Sequence, residues 1–140
     1  MSKEMREYNK MHRKHCKELV RLAKNDFEWD WKYLHEIVIT KIRHMYEYYY
    51  AGNNVCQSEE SIGDVLETLR HVLDLQSELD SLWEEKHQAK STRTEVAEGI
   101  YKVSTSDDEI NQVKSLYERE EEIYKEMYAY IGEKMLLWWD

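Results

Sequence analysis

The chain has 140 residues, no proline, four glycines and a formal net charge of −9 at pH 7. That length suits one domain, residues 1–140, with a modest core, and the scarcity of Pro and Gly favours long helices over a strand-and-turn architecture. The acidic balance argues against a general nucleic-acid binder, because phosphate neutralisation needs a basic surface, while leaving room for a local basic pocket around a small anion.

Cys16 and Cys56 stand apart, in no C-x-x-C spacing, so there is neither a disulfide framework nor a zinc signature and a reducing, cytoplasmic setting is expected. No apolar run approaches the ~20 residues of a membrane span, and the first residues lack the apolar core of a signal peptide. No membrane partner is expected. Eleven Tyr and five Trp against one Phe give most rings a polar handle, which suits pocket walls and interfaces as well as cores.

The first segment, from Lys3 to about Lys24, is an amphipathic helix whose apolar face holds Met5, Tyr8, His12, His15, Cys16, Leu19 and Ala23. Its two histidines and cysteine have a spacing that suits metal ligands on adjacent turns. The expectation is instead histidines half-buried at a helix contact, since no other Cys or His pair completes a tetrahedral set. No metal and no cofactor are assigned.

The second segment opens with the aromatic and acidic stretch Asp26-Phe-Glu-Trp-Asp30 and continues as a helix with Asp30 as N-cap and Gly52 just past its end. Leu34, Ile37, Val38, Ile42, Met45 and Tyr49 recur at helical spacing on its buried face. Lys41 interrupts that stripe, flanked by Tyr48, His44 and Tyr33. A buried lysine there needs a partner, either a ligand phosphate or the carboxylate of Glu120 on the last helix.

The third helix begins after Ser58 as N-cap and buries Ile62, Val65, Leu66, Leu69, Val72, Leu73 and Trp83. From about Gln88 to Ser106 the periodicity fails, so an irregular loop is expected before the last helix, made locally basic by Lys90, Arg93 and Lys102. Ser106-Asp-Asp-Glu109 is a capping box that starts the last helix, with Ile110, Val113, Tyr117, Tyr124, Met127, Tyr128, Ile131, Met135 and Trp138 on one face. Two tryptophans at the chain end, Trp138 and Trp139, imply a docked terminus, in the core or against a second subunit, and make a homo-oligomer the economical expectation. The fold expected is all-α, a bundle of about four main helices with an irregular loop before the last.

Asp26-x-x-Trp-Asp-x-x-Tyr-Leu34, Lys41 and Met45 on the same helix, the helix after Ser58 and the terminal Trp138-Trp-Asp140 together resemble a group of small bacteriophage proteins of unassigned role. The resemblance implies phage origin and an infected bacterial cytoplasm. It points to counter-defence by stoichiometric binding, for which helical oligomers that sequester nucleotide immune signals offer a pattern. Glu59-Glu-Ser-Ile-Gly-Asp64-Val-Leu also resembles the corresponding stretch of MazG-type all-α nucleotide pyrophosphohydrolases, whose helix-borne carboxylates bind magnesium. Here Ser61 stands where that family has an acid, the companion Glu-Glu-x-x-Glu helix is missing upstream, and Glu118, Glu121 and Glu122 offer carboxylates in another order.

Three functions are therefore carried forward. The first is a non-enzymatic sponge for a nucleotide-type signal, with Lys41, Arg93 and Lys102 facing phosphate and Trp31, Tyr33, His44, Tyr48, Trp138 and Trp139 around the base. The second is an acidic protein that inhibits a host defence or nucleic-acid enzyme by covering it, and the third a magnesium-dependent pyrophosphohydrolase.

Overall fold

The structure is a computed structural model that describes residues 1–25, 30–53, 58–88, 92–104 and 106–138, and within 92–104 the side chains of 95–102. Expectations on Asp26, Phe27, Trp29, Cys56, Lys90, Trp139 and the Arg93 side chain lie outside it. The fold is all-α with four main helices: α1 (Lys3–Lys24), α2 (Trp31–Tyr50), α3 (Glu59–His87) and α4 (Asp107–Lys134), closed by a short 3-10 turn at Met135–Leu137. None of the described helices is long and apolar enough to cross a membrane.

The helix ends follow from local chemistry. Ser2 caps α1 by accepting from Met5 N–H, and Asp30 caps α2 by accepting from Lys32 N–H at 2.9 Å. Ser58 Oγ accepts from Ser61 N–H at the start of α3. Ser106 and Glu109 form the reciprocal capping box of α4, each backbone N–H donating to the other's side chain. Past the end of α2, Gly52 takes φ +80°, a left-handed conformation that glycine adopts without strain, and returns its N–H to the Tyr49 carbonyl.

The stretch before α4 corrects the expectation of an irregular loop. Two antiparallel strands, β1 (Thr92–Ala97) and β2 (Ile100–Ser104), pair there in a hairpin with Thr94 opposite Lys102 and Glu95 opposite Tyr101. Glu98-Gly99 makes the turn, with Gly99 at φ +72°, and the register slips between Glu95 and Ala97. Its sequence logic is the alternation of Thr92, Thr94 and Val96 followed by a glycine turn, a period of two rather than of 3.6.

The residues fall into two compact units, Met1–Leu73 with Glu133–Asp140, and Asp74–Gly132. In the first, α1 packs against α2. Its interior holds Ile42, Tyr49, Val65, Leu69 and Val72, and also the polar side chains His15, His35, Thr40 and His44. In the second, Leu75, Leu79 and Leu82 of α3 and Ile123 and Met127 of α4 form the core. There Arg119 of α4 donates to Glu78 of α3 at 2.7 Å, and Lys86 of α3 pairs with Glu120 of α4. Trp83, expected inside, is half exposed and stacks on His87 one turn later.

Two expectations about Lys41 are overturned. Its side chain is exposed, as is Leu34 one face position away, because α2 buries two opposed faces, Thr40 and His44 on one and His35, Ile42 and Tyr49 on the other, and Lys41 and Leu34 fall between them. Glu120 is taken by Lys86, whose ammonium also lies 4.3 Å over the Tyr117 ring. The buried cation of the last helix pair is therefore Lys86, and Lys41 needs no internal carboxylate.

Candidate functional site: a histidine-backed aromatic groove

Two of the polar residues buried in the first unit, His15 and His44, are held by a crossed set of bonds between α1 and α2. His15 of α1 gives its Nε2 to Glu47 Oε2 of α2 at 2.6 Å, while His44 of α2 gives its Nε2 to Glu18 Oε2 of α1 at 2.8 Å. The two imidazoles stack, with centroids 3.9 Å apart and planes 8° from parallel. Arg43 closes the network through a hydrogen-bonded ion pair with the other oxygen of Glu18, and lies 4.0 Å from Glu47. Sequence explains the placement: Arg43, His44 and Glu47 are i, i+1 and i+4 on α2, and His15 and Glu18 are i and i+3 on α1, so each helix presents a histidine and a carboxylate to the other.

The electrostatics fix the protonation of His44. Hydrogen bonds from Arg43 and His44 hold the Glu18 carboxyl at about 2, so it is ionised at neutral pH and acts only as an acceptor. Burial lowers the His44 pKa from its ordinary 6.5 against the opposing Glu18 hydrogen bond, and the neighbouring His15 and Arg43 charges lower it further. Glu47 is also lowered: burial pushes it up, and the hydrogen bond and charge of His15, with Lys14 and Arg43, outweigh that. His44 is thus neutral at pH 7, carries its proton on Nε2, and presents Nδ1 as an acceptor. That Nδ1 is buried and has no hydrogen-bond partner among the described residues, at a residue only 3% exposed. A buried acceptor with no partner costs about 1–3 kcal/mol.

The His44 ring forms part of the wall of a groove of about 370 Å³, within the size range of small-molecule sites. Tyr8 and His12 of α1, Lys41 and Tyr48 of α2 and the C-terminal Trp138 also line it. Tyr8 stacks on His12 and meets Tyr48 edge to face at 6.1 Å. Trp138 is anchored by its indole N–H, which donates to Thr68 Oγ1 of α3 at 2.7 Å. Trp138 is therefore docked on its own chain.

Of the residues singled out in the sequence, Lys41, His44, Tyr48 and Trp138 come together in this groove. Trp31, exposed, and Tyr33, half-buried, lie nearer the start of α2 and do not line it. Lys102 is exposed on β2 in the second unit, outside the groove lining. Glu18, Glu47 and Tyr8 were missed as site residues. The available signal was Glu18 itself, a carboxylate three residues after His15 on the face that carries Leu22.

His12 bonds Cys16 at 3.5 Å while His15 turns to Glu47, so the three do not converge. Among the described residues no group of three His, Cys, Asp or Glu side chains is placed to hold a metal ion. Glu118, Glu121 and Glu122 each pair with a cation of their own helix, Lys114, Lys125 and Arg119 respectively. Comparison with protein-family models, with curated proteins and with solved structures found no match to this chain.

Proposed function

We propose that this protein is a non-catalytic binder that holds a nucleotide-type anion in the groove between α1 and α2. The observation that carries the reading is the neutral His44, whose buried Nδ1 acceptor has no partner among the described residues and whose ring lines an aromatic groove. A base amine or a ribose hydroxyl is a donor that such an acceptor can take. Tyr8, Tyr48 and Trp138 supply faces for stacking, and the exposed Lys41 supplies a mobile cation for phosphate. Stoichiometric capture of a signalling nucleotide, as a sponge, is the role this chemistry serves. The phage counter-defence setting rests on the sequence resemblance.

The test is a thermal-shift panel of cyclic and linear nucleotides on the purified protein. A ligand at 100 times its Kd adds about 2.7 kcal/mol to stability and raises the melting temperature by several degrees. A panel in which no nucleotide raises the melting temperature contradicts the reading.

A further inference from the structure

The face of α1 that looks away from the groove carries a second feature, one that the net charge conceals. α1 holds eight of the chain's twenty Lys and Arg but only three of its twenty-nine acidic residues. At about 100° per residue, all eight fall within an arc of roughly 100°, and no other residue type of α1 falls inside that arc. His15, the residue that α1 buries, lies on the opposite side. Every one of the eight is exposed. Arg6, Lys10, Arg13, Lys14 and Lys17 line a shallow depression of about 560 Å³, and none of the five makes an ion pair with a described residue.

We propose that this stripe docks along the phosphate backbone of double-stranded nucleic acid, without reading its sequence. The occupant follows from charge and from composition. A protein interface is built on aromatic or aliphatic anchors and is depleted in lysine at its centre, whereas this arc offers cations alone. Duplex nucleic acid presents about one negative charge per 1.7 Å along its axis, and over the ~33 Å of a 22-residue helix it supplies more than enough phosphates for the eight side chains. Among the described residues only Lys3 of the eight meets a carboxylate within ion-pair distance, Glu7 at 4.0 Å, and acidic groups farther than about 8 Å are largely screened at physiological salt. Overall composition, which argues against general nucleic-acid binding, averages out a segregation that the helix makes spatial. The surface is distinct from the groove, since its cations and the groove-lining residues occupy opposite faces of α1 and share no side chain.

The experiment is fluorescence anisotropy of a labelled 20-base-pair DNA duplex with the full chain between 50 and 200 mM salt. Five phosphate contacts predict a log K against log salt slope of about −4.5, a loss of affinity of roughly 500-fold across that range. The triple substitution Lys10→Gln, Arg13→Gln and Lys17→Gln reduces the slope to about −1.8. Because these side chains are exposed, its melting temperature stays at the wild-type value. Absence of binding at 50 mM salt overturns the proposal, as does binding that ignores salt or survives the triple substitution unchanged. Equal affinity for a polyglutamate peptide, or for vesicles containing phosphatidylserine, overturns the assignment to nucleic acid.

Discussion

His15 on α1 and His44 on α2 lie face to face at 3.9 Å, and each donates to a glutamate of the opposite helix. Two imidazolium rings at that distance would repel, so the arrangement needs at least one neutral ring, and the lowered pKa of His44 supplies it. The crossed bonds satisfy both Nε2 atoms and leave the buried Nδ1 of His44 without a hydrogen-bond partner among the described residues.

Glu18 is the carboxylate on which this arrangement depends. Glu18→Ala strands Arg43 and His44 together, and costs about 2–3 kcal/mol in urea unfolding. Retention of wild-type stability would mean that the network contributes nothing to the α1–α2 contact.

Acid should loosen the first unit in two stages. Both groups have folded pKa values below their unfolded ones, so each contributes stability that is present above the unfolded value and is lost as pH falls towards the folded one. For His44 the loss begins below 6.5, and for Glu18 it runs from 4.5 down to about 2. The melting temperature therefore falls between pH 7 and pH 5, and His44→Phe flattens that part of the profile. A profile equally steep in the variant would remove His44 from the explanation.

Lys41→Met leaves stability within about 0.5 kcal/mol, as befits an exposed side chain with no internal ion pair to break. Lys86→Met behaves in the opposite way. It leaves Glu120 unpaired in a mostly buried position and costs roughly 3 kcal/mol, most of which the double substitution Lys86→Met with Glu120→Leu restores. Denaturant titration of the three variants separates the two lysines.

Thr68→Val removes the acceptor for the Trp138 indole and costs about 1 kcal/mol. If Trp138 forms a wall of the groove that a nucleotide uses, the same substitution weakens nucleotide binding, as Lys41→Met does by removing the cation that faces phosphate. Calorimetric titration of both variants with a nucleotide found in the thermal panel measures both effects.

Features that depend on near neighbours in sequence were legible. Asp30, Ser58, the Ser106–Glu109 box and Gly52 mark their helix ends because a cap is a bond over two to four residues. What failed depends on how helices rotate against one another. Lys41 sits on an apolar stripe whose Leu34 edge is itself exposed, so a lysine there violates nothing. The true exceptions are His15, His35, Thr40 and His44, and what makes the burial of His15 and His44 tolerable is carboxylates on the other helix, 32 and 26 residues away respectively. Periodicity finds a face but cannot say which distant residue satisfies it. The hairpin escaped for another reason: its period-two alternation spans only six and five residues, between helices whose 3.6 period dominates.

The central claim is that His44 Nδ1 is the acceptor by which the groove takes a donor from its ligand. Nitrogen NMR of the His44 ring, in the free protein and then with a nucleotide that raises the melting temperature, measures this at the atom itself. The account predicts a neutral ring protonated at Nε2 before addition, and an Nδ1 signal that moves upfield on binding as it accepts a hydrogen bond. A ring protonated at Nδ1, or an Nδ1 signal unchanged at saturating nucleotide, contradicts it.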